Sequence, residues 1–319
     1  MQQTRKRVQL TDPHGRQIHK LRVQITDTCN FRCFYCMPEK VRFTPSKQLL
    51  SAIEVVSICS HLVRLGIDEL RVSGGEPTLR KDFGDIISGL SELPVAKLGV
   101  TTNGLFLKNQ LAVLKRTKCR YINVSLDSLN RNTYCAITKA DYFDKVLEAV
   151  LTALMMGFQV KVNVVMLRGI NDHEVFDFIE FSKREKVEVR FLELMKIGPF
   201  YKDHARLFVP AQELIRKIEE RESLDPLSVN CDSTSFNFRT SSGARISFIA
   251  SESQPFCGFC SRLRLTATGK LRACIMSESG INLKGVPWGQ YPAVLGSVMA
   301  MKPLNRIEHI EQPMYQIGG

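Results

Sequence analysis

Three cysteines stand close together in the segment TDTCNFRCFYCMP, residues 26–38: Cys29, Cys33 and Cys36. Their C-x3-C-x2-C spacing supplies three thiolates within a short loop. That set suits three of the four irons of a cubane iron-sulfur cluster and leaves the fourth iron without a protein ligand. Structural zinc instead prefers four protein ligands, and this loop contains no histidine that could be the fourth. The spacing therefore favours a four-iron cluster with one open coordination position.

A second group of three cysteines occurs in FCGFCSRLRLTATGKLRAC, where Cys257, Cys260 and Cys274 have C-x2-C-x13-C spacing. This spacing also fits half of a zinc ribbon, but no nearby residue supplies a fourth ligand unless Cys231 does so. A second cubane with an open iron is the favoured interpretation. An open iron on such an auxiliary cluster can bind a substrate directly.

Two arginines lie between the second and third cysteines of this group. Arg262 and Arg264 flank Leu263, so their side chains lie on the same side of an extended chain. Each guanidinium offers paired donors to anionic oxygens, which suits a triphosphate. A solvated basic edge strand is the alternative.

The other cysteines stand alone in the sequence, and we expect them to be small buried hydrophobic residues; they are Cys59, Cys119, Cys135 and Cys231. Clustered thiols are typical of metal ligands in a reducing compartment. The basic N-terminus lacks the apolar core of a secretory signal. These observations predict a cytoplasmic protein.

The net charge is +12, but basic residues are spread along the chain with acidic residues between them, apart from TRKR at residues 4–7. The sequence contains no recognisable nucleic-acid-binding motif. No apolar run approaches the roughly 18 residues that a membrane span requires. We therefore expect neither a nucleic-acid partner nor a membrane, and a phosphorylated small substrate explains the arginines near the motifs.

Six short apolar runs alternate with longer segments of helical period. We predict strands over residues 21–26, 69–75, 97–104, 121–128, 159–166 and 188–195. We predict helices over residues 46–66, 82–93, 107–117, 142–157 and 172–186. Repeated βα units imply a parallel sheet with right-handed connections, and six of them predict an α/β fold, an incomplete TIM-type (β/α)6 barrel. A doubly wound open sheet is the alternative. In a barrel, the polar residues that follow the strands gather at one face.

The periodic pattern changes near Pro210, and residues 225–245 are polar and rich in serine and threonine. We therefore predict an N-terminal extension (residues 1–20), a partial barrel (21–224) and a C-terminal region (225–319). The C-terminal region carries the auxiliary iron-sulfur cluster and ends in a Gly-Gly tail.

The first cysteine loop, CNFRCFYC, resembles the signature of the radical S-adenosylmethionine (SAM) enzymes, and SGGEPTL at residues 73–79 resembles their second motif. This resemblance implies that the open iron binds the amino and carboxylate groups of SAM and that a cluster electron releases a 5′-deoxyadenosyl radical. It places Tyr35 beside SAM. The glycines of the second motif also suit a close ligand, because they expose the backbone after a strand.

Over nearly the whole chain the sequence resembles one family, the GTP 3′,8-cyclases of molybdenum cofactor biosynthesis. The similarity runs from GRQIHKLRVQITDTCNFRCFYCMP through RVSGGEPTLRKDF, TTNG, VSLDSL and VKVNVVMLRGINDHE to FCGFCSRLRLTATGKLRAC and the terminal GG. The resemblance implies a lyase that converts GTP to 3′,8-cyclo-7,8-dihydroguanosine triphosphate, the first step of molybdopterin formation. It implies two 4Fe-4S clusters and SAM as cofactors.

The same resemblance assigns residues by position. It implies SAM contacts at Tyr35, Gly75, Ser125 and Met195. It implies GTP contacts at Arg22, Arg71, Thr102, Lys161, Arg262, Leu263 and Arg264, and a catalytic tail formed by Gly318 and Gly319. Independently, the first two of these arginines and the lysine lie in apolar strand runs, where a cation needs a counter-charge. Buried salt bridges are the alternative explanation.

The resemblance also implies an electron donor and a downstream pyranopterin-forming enzyme as partners, and it leaves a homodimer open. The chain departs from the family pattern at Ser261, where asparagine is usual, and at Lys139, where glycine is usual. The arginine-rich pattern usual after Cys274 is hard to find. These departures concern substrate fit and C-terminal packing.

Two other functions are weighed against this one. A radical SAM enzyme with an auxiliary cluster could act on a peptide, although the arginines favour a nucleotide. A non-catalytic metal-binding nucleic-acid module would bind zinc tightly, leave SAM intact and show steep salt dependence of binding.

Overall fold

The computed structural model describes residues 9–318, which form two sheets and ten α-helices. The strands are β1 (Leu10–Thr11), β2 (Gln17–Ile18), β3 (Lys20–Gln24), β4 (Glu69–Ser73), β5 (Lys97–Thr102), β6 (Cys119–Ser125), β7 (Gln159–Met166), β8 (Glu188–Glu193), β9 (Leu224–Leu227), β10 (Phe236–Thr240), β11 (Arg245–Ile249), β12 (Arg262–Leu265), β13 (Lys270–Arg272) and β14 (Gly280–Asn282). The helices are α1 (Ala52–Arg64), α2 (Phe83–Ser91), α3 (Leu107–Lys115), α4 (Arg131–Thr138), α5 (Phe143–Met155), α6 (Val175–Glu185), α7 (His204–Leu207), α8 (Ala211–Glu219), α9 (Tyr291–Ala300) and α10 (Met314–Ile317).

Strands β3 to β8 are the six predicted strands, and they lie side by side in sequence order, all parallel. Sequential order with right-handed connections places every helix on one face and curls the sheet, whereas a doubly wound sheet would reverse its order. Neither edge of this set closes on the other, since β12 pairs with β3 and β11 with β8. The open (β/α)6 barrel is confirmed.

The predicted strands end too late in the sequence. Five of the six end two or three residues before the predicted limits, because residues 74–75, 103–104 and 126–128 belong to the loops after β4, β5 and β6. The first helix was predicted from residue 46 but begins at Ala52, where Ser51 and Glu54 form a reciprocal capping box. Helix α4 was not predicted. Asn130 caps its N-terminus, and Lys139 follows its last residue. The φ of Lys139 is 56°, which explains why glycine is usual at this position.

The C-terminal region lengthens the barrel sheet at both edges. Strands β9 to β11 continue it beyond β8, and β12 to β14 continue it beyond β3, giving a single sheet of twelve strands. The predicted limit at residue 225 falls inside β9, and the domain division stays a prediction. This arrangement sets β12, from the C-terminal region, directly beside β3, the first strand of the barrel.

The hydrophobic core lies between the sheet and the surrounding helices. On β4, Leu70 and Val72 are buried on the helix side, while Arg71 and Ser73 face the opposite side. A TIM barrel normally fills its interior with branched apolar side chains. Here the interior positions are largely polar and cationic, which leaves room for a polar ligand.

Two of the four isolated cysteines match the expectation of burial, Cys59 and Cys119. The expectation was wrong for the others: Cys135 is half-buried and its thiol contacts Asp141, and Cys231 is exposed. Between residues 9 and 318, none of the helices has both the length and the apolar character that crossing a membrane requires.

Candidate active site

The first cysteine triad lies in the loop that follows β3. The backbone turns tightly there, since the amides of Cys36 and Met37 both donate to the Cys33 carbonyl, at 3.0 and 3.1 Å. Burial and repulsion from Cys29 raise the pKa of Cys36 to about 12. Thiols in this condition give up their protons when a metal replaces them. The donor set therefore fits three irons of a cubane cluster.

The second motif supports this loop through its backbone. Gly75 donates its amide to the Thr26 carbonyl at 2.8 Å, and Glu76 donates to the Thr28 carbonyl at 2.8 Å. A Cβ on Gly75 would lie 2.4 Å from the Asp27 carbonyl oxygen, so only glycine fits. The close neighbour of these glycines is thus the cysteine loop itself, a contact that the sequence did not reveal.

A buried carboxylate connects the second motif to the first triad. Glu76 accepts hydrogen bonds from the hydroxyl of Thr102 at 2.7 Å and from the amide of Asn103 at 2.6 Å. The Asn103 side chain donates to Asn30 at 2.9 Å and lies 3.8 Å from Cys29 Sγ. Sequence reasoning did not single out Asn103, although it lies in the quoted TTNG segment.

Thr102, a predicted GTP contact, does not face the barrel interior. Its side chain is 2% exposed and its hydroxyl is occupied by Glu76. The inward position on β5 belongs to Thr101, which pairs in register with Asn123. A substrate contact at Thr102 stays a prediction without a geometric basis here.

Tyr35 is fixed by a residue that sequence reasoning missed. Its hydroxyl donates to Asp127 Oδ2 at 2.6 Å, and the other carboxylate oxygen accepts the Val165 amide at 2.8 Å. Burial raises the pKa of Asp127 to about 6, although both hydrogen bonds oppose the shift. Asp127 lies in the quoted segment VSLDSL, two residues after Ser125, the last residue of β6. Its place after a strand was the available signal.

A cavity of about 230 Å³ brings eight of the predicted site residues together. Its lining includes Tyr35, Met195, Arg22, Arg262, Arg264, Cys257, Cys260 and Cys274. A neighbouring cavity of about 360 Å³ is lined by Arg22, Arg71, Lys161, Arg190 and Arg262, among others. Because Arg22 and Arg262 line both, the two cavities adjoin. Arg190 was missed, although its alternation with Glu188 on β8 places it inside the barrel.

Three guanidiniums lie side by side on the neighbouring strands β12, β3 and β4. In register, Arg264 on β12 is opposite Arg22 on β3, which is opposite Arg71 on β4. Within residues 9–318, none of the three forms an ion pair with a carboxylate within 4.0 Å. Burial and repulsion from neighbouring arginines hold the pKa of Arg22 well below its usual value, and burial lowers those of Arg71 and Arg264 to about 10. The described part of the chain therefore supplies no anion that balances these three cations.

Lys161 differs, because it has a carboxylate partner. Its Nζ is 2.7 Å from Glu188, which also pairs with Arg190 at 2.9 Å. Burial opposes ionisation of Glu188, but the two cations outweigh burial and lower its pKa to about 2. For Lys161, the alternative of a buried salt bridge is therefore realised in the structure. One carboxylate shared by two cations still leaves positive charge in excess.

Uncharged polar groups face the same interior above these cations. Ser73 Oγ, Thr101 Oγ1 and Asn163 Oδ1 are buried and, within the described chain, have no hydrogen-bond partner. Ser125 pairs in register with Asn163 and so faces inward too. Buried polar groups are rarely left unsatisfied in the absence of a ligand. Their position between the first triad and the arginines fits SAM and a nucleotide.

The second triad borders the same cavity. Cys260 lies two residues before β12, and Cys274 lies two residues after β13. The Met276 amide is 3.4 Å from Cys274 Sγ. Burial raises the pKa of Cys260, but the charges of Lys302 and Arg262 outweigh it and lower the pKa to about 7. In the part of the chain described, no three His, Cys, Asp or Glu side chains converge as ligands of one metal ion. The thiolates of a cubane bind separate irons and need no such common point.

The structure places Ser261 and Leu263, two residues of the segment that carries the predicted substrate arginines. Ser261, a departure from the family pattern, donates its hydroxyl to Asp232 at 2.6 Å. Leu263 is fully buried on the helix side of β12, so only its backbone can reach a ligand. Cys231 is exposed and is not among the residues that line the cavity at the second triad.

The C-terminal tail is buried against the barrel. Ile317 is 1% exposed, and the Gly318 carbonyl accepts a hydrogen bond from Arg264 at 2.6 Å. Gln24 donates to the Tyr315 carbonyl at 2.8 Å, and the Tyr315 amide donates to the Cys36 thiol. Gly319 lies outside the described residues. The tail thus reaches from the first triad to a predicted substrate arginine.

Comparisons with known proteins identify the family. Residues 23–182 match the family model described as Radical SAM superfamily, and residues 187–288 match Molybdenum Cofactor Synthesis C. A GTP 3′,8-cyclase of Synechocystis sp. is 44% identical over 97% of this chain and 95% of its own. One from Listeria welshimeri is 34% identical, covering 96% of this chain and 93% of its own.

The fold also resembles a solved structure. Streptococcus suis SuiB bound to S-adenosylmethionine matches with a TM-score of 0.62 and 14% identity, over 90% of this chain and 69% of that chain. At this identity the likeness shows the fold alone. The radical SAM superfamily implies SAM and a 4Fe-4S cluster. The extent and level of the sequence matches show that the chain belongs to the radical SAM superfamily and, within it, to the family of GTP 3′,8-cyclases.

Proposed function

We propose that this chain is a lyase that converts GTP to 3′,8-cyclo-7,8-dihydroguanosine triphosphate, in the first step of molybdenum cofactor biosynthesis. The observation that carries the proposal is the pair of adjoining cavities, in which the second cysteine triad and Tyr35 of the first cysteine loop share a lining with Arg22, Arg71 and Arg264, which have no carboxylate partner within the described residues. A triphosphate supplies the missing negative charge. A peptide substrate, the rival within the superfamily, supplies no comparable anion.

Cys29, Cys33 and Cys36 would hold a 4Fe-4S cluster, which would supply the site for SAM. When bound, these groups supply the 5′-deoxyadenosyl radical that removes the C3′ hydrogen of GTP. Tyr35 and Met195 contact SAM from the cavity wall, and Gly75 and Ser125 contact it from the strand ends. Asp127 orients Tyr35. The enclosed cavity keeps water and other groups away from the reaction.

The triphosphate lies along Arg22, Arg71 and Lys161 and extends to the Arg262–Arg264 segment. The guanine then points toward the second triad. There Cys257, Cys260 and Cys274 would hold a second 4Fe-4S cluster, which would supply a binding site for the base. The support for this cluster is a triad of thiols on the cavity wall, with a buried lysine beside Cys260.

The surroundings of the reaction follow from its chemistry. A cytoplasmic location keeps ten unbridged cysteines reduced. The first cluster requires an electron donor, and the cyclised triphosphate requires a downstream enzyme that forms the pyranopterin. A homodimer is compatible with the proposal but plays no part in it.

Replacing all three second-triad cysteines with serine should separate the two halves of the reaction. After anaerobic reconstitution, the parent should contain about eight irons per chain and the triple variant about four. The variant should still form 5′-deoxyadenosine under dithionite but no cyclised nucleotide. Cys231→Ser, which changes an exposed thiol next to the site, is the matched control and should behave like the parent. Iron and sulfide assays and chromatography of the products make the measurement.

The result that contradicts the second cluster is a fully reconstituted parent with four irons or fewer. Cyclised GTP from the triple variant would contradict its role in holding substrate.

Arg22→Met should stabilise the protein without GTP and weaken GTP binding. The buried guanidinium has no carboxylate partner and is repelled by its neighbours, so its removal should leave the free energy of unfolding unchanged or raise it by about 1 kcal/mol. GTP affinity should fall at least about tenfold, or about 1.4 kcal/mol, because paired donors to phosphate are lost. Denaturant unfolding and equilibrium binding measure the two effects.

Arg245→Met is the control, since Arg245 is exposed on β11 and should change neither quantity. If Arg22→Met destabilises the free protein by more than about 1 kcal/mol and leaves GTP affinity intact, Arg22 has a structural role instead.

Gly318→Ala should abolish cyclisation while preserving iron content and SAM cleavage. Gly318 has a φ of 78°, and a Cβ there would lie 2.8 Å from Gln24 Cβ, so alanine displaces the tail from Arg264. Deleting residues 318 and 319 should have the same effect. Gly296→Ala, at a helix position with open space around it, is the control. Full cyclase activity in the truncated protein would show that the tail is dispensable.

A further inference from the structure

A buried lysine that lies outside the quoted sequence motifs contacts the second triad. Lys302 is 3% exposed, and its Nζ lies 3.3 Å from Cys260 Sγ. The same Nζ donates to the carbonyls of Arg262, at 2.6 Å, and Ala273, at 2.9 Å. Ala273 immediately precedes Cys274. One ammonium group therefore ties together the two segments that carry Cys260 and Cys274.

Arg16 connects the remaining cysteine to the same lysine. Its Nη1 donates to the carbonyls of Cys257 and Pro303, both at 2.8 Å, and its Nη2 donates to the Lys302 carbonyl at 3.1 Å. The Arg16 Nε pairs with Asp12 at 2.6 Å, which fixes the guanidinium. All three cysteines of the triad are thus linked through Arg16 and Lys302.

Lys302 lies on the side of the triad away from the substrate. Among the described residues that line the two adjoining cavities, Arg262 and Arg264 are present and Lys302 is not. Its ammonium also forms no ion pair with a carboxylate of residues 9–318. The side chain that the ammonium contacts is that of Cys260, a member of the triad. Its contacts therefore point to the cluster and away from the triphosphate.

We propose that Lys302 is a positioning residue for the second cluster: it holds Cys260 and the Cys274 segment in place and sets a fixed positive charge beside the cluster. This role rests on the proposed second cluster. Groups that contact ligand sulfurs control how firmly a cluster is held and its reduction potential. A neighbouring cation favours the reduced form, which carries one more negative charge, and so raises the potential.

The test uses the full chain with Cys29, Cys33 and Cys36 replaced by serine, so that only the second triad can hold a cluster. Lys302→Met removes the charge and its donors at similar length, and Lys302→Arg keeps the charge. Lys284→Met is the matched control, because Lys284 is exposed and lies 3.5 Å from Glu54. After reconstitution, iron content, the midpoint potential, the rate of iron loss to a chelator and the unfolding temperature are measured.

Lys302→Met should have a more negative midpoint potential and lose iron about tenfold faster than the parent. Lys302→Arg should restore both values most of the way, and Lys284→Met should match the parent. A merely structural lysine would lower the unfolding temperature without moving the potential. The proposal is overturned if loaded Lys302→Met keeps the parent's potential and rate of iron loss.

If Lys302→Met takes up no iron, Lys302→Gln decides, since it is neutral but retains a donor. A potential equal to the parent's overturns the proposal, and a more negative one supports it. A parent that binds no iron at all, while the intact chain still binds four, overturns the second cluster itself and this role with it.

Discussion

Within residues 9–318, buried positive charge without a carboxylate partner is concentrated inside the barrel, and much of the structure depends on it. Arg264, Arg22 and Arg71 lie in adjacent register positions on three strands, and each is buried. Burying unpaired charge costs free energy, which the apolar layer between the sheet and the helices must offset. An anionic ligand removes this cost. Substrate binding and stability are therefore linked in this fold.

The chain topology explains how the arginines meet. Strand β12 comes from the C-terminal region, yet it pairs in parallel with β3, the first barrel strand. The segment between Cys260 and Cys274 is therefore placed beside the segment that precedes the first triad. The tail completes this connection, because the Tyr315 amide contacts Cys36 and the Gly318 carbonyl contacts Arg264. The second triad, Tyr35 of the first cysteine loop and the cations thus line two adjoining cavities.

The sequence was informative where chemistry depends on spacing along the chain. Both cysteine triads, the six strands and the inward alternation of Arg22 and Lys161 could be predicted in this way. It was less informative where strand parity decides, since TTNG does not tell which threonine faces inward, and the structure selects Thr101. Contacts between distant segments were also out of reach. The fit of Gly75 against Asp27 and the hydrogen bond between Tyr35 and Asp127 depend on how loops meet in space.

The central claim is that one cavity brings the C3′ position of GTP to the SAM that the first triad holds. GTP deuterated at C3′ tests this claim most directly. The reconstituted enzyme is incubated anaerobically with this substrate, SAM and dithionite, and the 5′-deoxyadenosine is analysed by mass spectrometry. The account predicts one deuterium in 5′-deoxyadenosine, formed in step with the cyclised triphosphate. Cyclised product accompanied by unlabelled 5′-deoxyadenosine would contradict it.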